Sequence, residues 1–265
     1  MQITAVYSES GGVTKTTTAV SLATEAARAG LNVVLIDLDP RGAATKWLDV
    51  APVKPGLHIG AVLAAEDPEG WINDLAVAVS WTPNLRAVPS AREVSLREKE
   101  SADHVEVRLK VALSGLDADL VVLDCPNRQG GPLILNALTA ADSIIYATSL
   151  GEDGVDGVEG AVTTVGKYVK SRAQMGAPAD LQEVGIVVGS LREVVMTRDS
   201  RNALENLDAL YGPLVLRPLV PERVIVREAR SAHSYFGDYP AGRVVAESYR
   251  AIAAQVFTAF PTEAA

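Results

Sequence analysis

Short runs of apolar, largely β-branched residues recur along the chain at 3–7, 32–36, 120–123, 143–146 and 184–188, each closed by a turn or a polar cluster. Runs this short and this continuously apolar predict strands buried on both faces. Between them lie stretches of helical period. Val155, Val158, Val162, Val165 and Val169 are spaced three, four, three and four apart, which puts five valines on one helix face. Another helical run, 19–29, follows the first strand, and a closing helix is expected at about 241–260, with Ile252, Val256 and Phe260 at four-residue spacing. Strand then helix, repeated, predicts an α/β fold that is doubly wound, with a mostly parallel sheet and helices on both faces. The stretch 47–117 is less regular. Pro52, Pro55, Pro68, Pro83 and Pro89 break it into short helices and loops ahead of a polar helix expected around 92–113. With no internal repeat, low-complexity run or long linker, that stretch reads as an insertion in a single domain spanning 1–265.

Composition narrows the function classes. The 265 residues are 48% hydrophobic and 22% charged, which is the profile of a chain with a real core rather than a disordered one. The formal charge is -9, so polyanions cannot be attracted by the global field and any nucleic-acid contact must come from a local patch. Cys125 is the single cysteine, which excludes an internal disulfide framework and a four-cysteine metal or iron–sulfur site within one chain. A reducing cytoplasm fits that usage. Residues 1–7 carry neither a basic n-region nor a long apolar h-region, and no stretch approaches the roughly 18 to 20 apolar residues of a transmembrane helix. The chain is therefore expected to be soluble.

The candidate chemistry lies where the strands end. The first strand runs into Ser8-Glu9-Ser10-Gly11-Gly12-Val13-Thr14-Lys15-Thr16-Thr17-Thr18 and then a helix, which is a phosphate-loop context. Successive backbone N–H groups at a helix N-terminus can cradle phosphates, a lysine can reach the β/γ oxygens, and the hydroxyl after it can ligate Mg²⁺. Lys15 and Thr16 suit those roles. The strict G-x-x-x-x-G-K-[ST] pattern fails, because Glu9 and Thr14 stand at its glycines, and the alternative for the loop alone is a glycine-rich turn capped by Ser or Thr. The second strand ends in Asp37-Leu38-Asp39-Pro40-Arg41 and the third long apolar strand in Asp124-Cys125-Pro126-Asn127. The carboxyl ends of parallel strands share one edge, so these acids converge on Lys15. Carboxylates there can hold Mg²⁺ through water and position an attacking water on a γ-phosphoryl group. For each aspartate singly, a strand-end cap is the alternative.

These residues resemble the ParA/MinD group of deviant-Walker P-loop ATPases, and within it the ParA (Soj-like) partition proteins, over nearly the whole chain. Residues 11–19 look like the family's lysine-containing phosphate loop, 35–45 are similar to its Asp-x-Asp-Pro second motif, and Asp124-Cys125-Pro126 with 135–142 matches its Walker B strand and following helix. Val220-Pro221-Glu222-Arg223-Val224, with Glu228, Ala229 and Ser231, resembles the loop that wraps the adenine. The resemblance implies Mg²⁺-dependent hydrolysis of ATP. It implies phosphate binding by Gly11, Gly12, Val13, Thr14, Lys15, Thr16 and Thr17, metal at Thr16 with Asp39 and Asp124, and base contacts from Pro221 and Arg223. Lys15 and Asp39 would be catalytic, Asp39 by activating water, with Asp37 standing behind. The departures matter. Ser10 occupies the place of the signature lysine that crosses to the partner's phosphates, Thr14 replaces a glycine and is expected to reshape the loop, Arg41 replaces a glutamine, and Asn127 replaces a proline. Arg41 is the candidate for the missing cation.

The resemblance further implies a homodimer formed with ATP, nonspecific DNA binding, a ParB-like centromere-binding adaptor, and segregation of plasmid, phage or chromosomal DNA on the nucleoid in the cytoplasm. Between 184 and 250 stand nine arginines, no lysine and eight acids, whereas the remainder carries a net charge of -10. Arg192, Arg198, Arg201, Arg217, Arg227, Arg230 and Arg243 could form a phosphate-contacting patch, the other reading being solvated or ion-paired arginines. The last five residues are acidic and helix-breaking, which argues against a membrane-targeting amphipathic helix. Two alternatives stand beside partition. One is a ParA-like ATPase that positions a protein cargo, and the other is a nonhydrolysing nucleotide-binding scaffold, which Ser10 and Thr14 favour.

Overall fold

The computed structural model describes residues 1–177, 180–191 and 196–261. In chain order the elements are β1 (Gln2–Tyr7), α1 (Lys15–Arg28), β2 (Val33–Asp37), α2 (Ala43–Trp47), α3 (Ile59–Ala64), α4 (Trp71–Leu75), β3 (Val77–Ala78), β4 (Leu85–Val88), α5 (Arg108–Ala112), β5 (Leu120–Asp124), α6 (Pro132–Ala140), β6 (Ser143–Ser149), α7 (Glu152–Gln174), β7 (Gln182–Gly189), α8 (Arg198–Tyr211), α9 (Val224–Ser231) and α10 (Arg243–Val256). The strands form one sheet in the order β3-β4-β2-β5-β1-β6-β7. All neighbours are parallel except the β3–β4 pair at the edge.

The two-residue side-chain period of the strands divides the core between the two faces. Ile3, Ala5, Tyr7, Val34, Ile36, Val121 and Leu123 enter one apolar cluster with Ile59, Leu109, Ile134 and Val158 from α3, α5, α6 and α7. Val6, Val33, Leu35, Leu120 and Val122 enter the other with Leu22, Ala26, Tyr249 and Ile252 from α1 and α10. Apolar side chains in contact with helices on both faces are what the unbroken apolar strand sequences require. On the second face Trp47, Trp81, Tyr235, Phe236 and Tyr249 form a chain of ring contacts, with centroids 4.5 to 6.5 Å apart.

The stretch 47–117 is more than an insertion. Leu85–Val88 pairs in parallel with β2, Val33 opposite Leu85 through Ile36 opposite Val88, and so extends the sheet. Two prolines bracket those four residues and only one of them is β-branched, so pairing with β2 rather than local propensity makes the strand. The polar helix expected at 92–113 is absent as a unit. A 3₁₀ segment spans Arg92–Lys99, the chain turns, and α5 begins at Arg108. Glu100 accepts from Arg97 and from Arg108, each at 2.7 Å. Residues 97 and 108 would stand about 16 Å apart along a continuous helix, so a shared carboxylate requires the fold-back. The closing helix stops at Val256, with Phe260 buried beyond its end.

Candidate functional site

The carboxyl ends of β1, β2 and β5 meet at one edge of the sheet, and the loop after β1 crosses that edge to enter α1. Gly12 and Thr14 both take left-handed backbone, with φ of 76° and 67°. This conformation costs glycine nothing, whereas it strains a β-branched residue. Thr14 holds it because its side chain is seated against Gly189 on β7, where an added Cβ would come within 2.4 Å of the threonine hydroxyl. The expected effect of Thr14 on the loop therefore takes the form of local strain, with α1 starting directly after it at Lys15.

Ahead of the glycines the loop is anchored to α7. Ser10 Oγ donates to the Asp153 carbonyl at 2.5 Å, the Glu9 N–H donates to the Gly157 carbonyl at 3.3 Å, and Thr164 Oγ1 donates to the Glu9 carboxylate at 2.6 Å. Gly157 and Gly160 make the approach possible, since a Cβ on either would collide with Ser10 or Glu9.

The acids are held differently from one another. Asp37 accepts from Asp39 N–H at 3.1 Å, from Thr45 N–H at 2.8 Å and from Thr45 Oγ1 at 2.7 Å, so it fixes the turn that follows β2. Asp39 is 8% exposed and accepts from the Arg41 N–H at 2.9 Å. Asp124 lies opposite Asp37 in the strand register and is fully buried, yet neither of its carboxylate oxygens has a hydrogen-bond partner. Burial pushes the Asp37 carboxyl up to about 6. Burial and the neighbouring Asp37 push Asp124 to about 7, with the Lys15 charge pulling the other way. A buried carboxylate without partners is costly. Its two free oxygens suit a cation, and the hydroxyl of Thr16 and the phosphate loop stand beside it.

A cavity of about 500 Å³ opens over this edge. Residues 11–17, Asp39 and Arg41 line it on the loop side, and Pro221 and Arg223 line it on the side of the loop before α9. Among the predicted residues, Ser10 does not line it. Asp124 is not in its wall either, being buried beneath the loop. Arg41 is exposed, lines both this cavity and an adjoining one of about 420 Å³, and makes no ion pair among the described residues. Sequence reading missed Lys46, Ser190, Val226 and Tyr249, which also line the cavity. Lys46 stands three residues after Ala43, another lining residue on the same face of α2, and no sequence motif marks Lys46.

The arginines singled out from the sequence lie in different surroundings. Arg192 is outside the described residues. Arg198 and Arg201 are exposed on the first turn of α8, Arg243 is exposed at the start of α10, and Arg217 reaches both oxygens of Asp208 at 2.8 Å. Arg227 and Arg230, on α9, line the cavity itself.

A family model described as an AAA domain matches residues 1–175. The chain is similar to the chromosome-partitioning ATPase Soj of Thermus thermophilus, 29% identical over 252 residues that cover 95% of this chain and 94% of Soj. Among solved structures, apo McdA of Cyanothece matches with a TM-score of 0.79 and 21% identity, covering 95% of this chain and 99% of its own. The cobyrinic acid a,c-diamide synthase of Mycobacterium smegmatis, with a bound ATP analogue and magnesium, matches with a TM-score of 0.74 and 27% identity over 96% of this chain and 93% of that one. The seven-stranded sheet, the loop entering α1 and a family match over most of the chain agree: this protein belongs to the AAA-domain family and is a P-loop ATPase of the ParA/MinD type.

Proposed function

We propose that this ATPase works as a partition protein: one domain that binds ATP with Mg²⁺, dimerises in that state, holds DNA without sequence preference and moves a DNA cargo with a centromere-binding adaptor in the cytoplasm. The observation that carries the nucleotide part is the unpartnered Asp124 carboxylate beneath a loop that presents Lys15 and Thr16. Thr16 and Asp124 would hold Mg²⁺, which supplies charge neutralisation of the phosphates. Lys15 binds the β/γ oxygens, the backbone of 11–17 cradles the phosphate chain, and Asp39, fixed by its own turn, orients the attacking water. Pro221 and Arg223 contact the base. In the dimer, Arg41 supplies the positive charge that Ser10 cannot, because it is exposed and borders both cavities. The partition assignment is supported by the name of the Thermus relative. No helix among the described residues is long and apolar enough to cross a membrane.

The test is DNA retention at low salt with ATP, with ADP and without nucleotide, alongside steady-state ATP turnover with and without DNA. Retention confined to the ATP state and lost steeply as salt rises is expected, since phosphate contacts release condensed counterions. Charge reversal at Arg201 and Arg243 together should weaken retention and leave ATP affinity unchanged. ATP turnover with no DNA retention would replace partition by cargo positioning, and ATP binding without turnover would leave a scaffold.

A further inference from the structure

The cavity wall is basic, and with a bound Mg²⁺ offsetting half of a triphosphate's charge it carries more positive charge than that group needs. Lys15, Arg41, Lys46, Arg223, Arg227 and Arg230 line it against two acids, Asp39 and Glu222, in a chain whose net charge is -9. These cations fall on three walls. Lys15 and Arg41 stand with the phosphate loop, and Arg223 with Pro221. Lys46, whose ammonium donates to the Arg41 carbonyl, stands beside Arg41; Arg227 and Arg230 line the third wall from α9, and Val245 and Tyr249 line the cavity from α10. Neither Arg227 nor Arg230 has an acid partner among the described residues. Arg230 lies over the Trp47 ring at 6.0 Å, and the Trp47 indole N–H donates to the Ser234 carbonyl at 3.0 Å, which fixes the ring beneath the guanidinium. Lys46 is tied at 2.7 Å to the Arg41 carbonyl, which leaves its charge uncompensated.

This step rests on the nucleotide reading given under Proposed function. If the 5′-phosphates occupy the loop wall and the base the wall of Pro221, the part of the ligand left for the third wall is the ribose, which is neutral. Two guanidinium groups facing a neutral sugar have no partner in ATP. We propose that this wall is a second anion subsite, built for a phosphate carried on the ribose, and that the protein takes nucleotides phosphorylated on the sugar as well as at the 5′ position. Charge-assisted, bidentate contacts of arginine with phosphate supply the affinity.

Calorimetric titration tests this with ADP, with ADP bearing a 3′-phosphate and with its 2′-phosphate isomer, against the full chain and against Arg230→Gln and Arg227→Gln. At least one sugar-phosphorylated nucleotide should bind about tenfold or more tightly than ADP. That gain should collapse in both variants while ADP affinity holds. Equal affinity of all three nucleotides would overturn the subsite and leave the ATPase reading intact, whereas failure of ADP itself to bind would overturn both. If the variants lose DNA retention and keep the affinities of all three nucleotides, the two arginines face DNA and the proposal is wrong.

Discussion

At the scale of single residues, the proposed function divides the site into groups that bind and groups that act. Lys15 is 7% exposed at the first position of α1. Replacing it with alanine removes the nearest fixed cation from the β/γ-phosphates and should abolish ATP binding. Asp39→Ala should keep ATP affinity and lower turnover by about a hundredfold or more. Equilibrium binding and single-turnover measurements on the two variants check this split, and normal turnover in Asp39→Ala would move the catalytic role elsewhere. The places of both residues at the carboxyl edge of the sheet were legible in the sequence, because each follows a strand end at a short, fixed distance. The conformation of Thr14 was not. Left-handed backbone at a threonine costs on the order of 1–3 kcal/mol, and only its packing against Gly189, more than 170 positions away, shows what holds it there.

Among the elements, α7 does two jobs that its sequence shows unequally. The valine spacing made its core face readable, and Val158 and Val165 are indeed fully buried. Its glycines read as weak points until Ser10 and Glu9 are seen resting on Gly157 and Gly160. Two substitutions on the same helix should therefore act in opposite directions. Gly157→Ala puts a Cβ 2.4 Å from Ser10 Oγ and 3.0 Å from its backbone nitrogen, so the loop must shift. We expect about 1–3 kcal/mol of lost stability and weaker ATP binding. Gly166→Ala meets nothing within 4 Å and should gain about 0.5–1 kcal/mol from helix propensity alone. Urea denaturation of the two variants, with ATP titration of each, decides the point, and similar changes in both would show that the loop does not depend on α7. The elements that sequence misjudged share one cause. The strand Leu85–Val88 is set by pairing with β2, some fifty positions away, and the fold-back at Glu100 by a side-chain ion pair with Arg108, eight positions on; neither contact leaves a mark in the hydrophobic pattern. The five long strands needed no such partner to be recognised.

For the molecule as a whole, the buried acids set a pH dependence. Asp37 and Asp124 hold protons in the folded, ligand-free protein at a pH where the unfolded chain has released them. Stability from this pair is thus fully present below the ordinary carboxylate range, near pH 4, and is lost as pH rises through about 7. The nucleotide-free protein should have a higher urea midpoint at pH 5 than at pH 7.5, and Asp124→Asn should flatten that difference. A midpoint that rises over the same interval would show the carboxyls to be ionised throughout. The seat of Arg230 on Trp47 has an optical consequence. Of the three tryptophans, Trp47 lies beneath a cavity-lining cation and Trp81 touches it at 6.0 Å, while Trp71 packs on the opposite face of the sheet. Any ligand that draws Arg230 toward an anion lifts a positive charge from an indole face, and indole emission responds to such a change. Intrinsic fluorescence should therefore report occupancy of the cavity without a label, with the signal lost in Trp47→Phe and retained in Trp71→Phe.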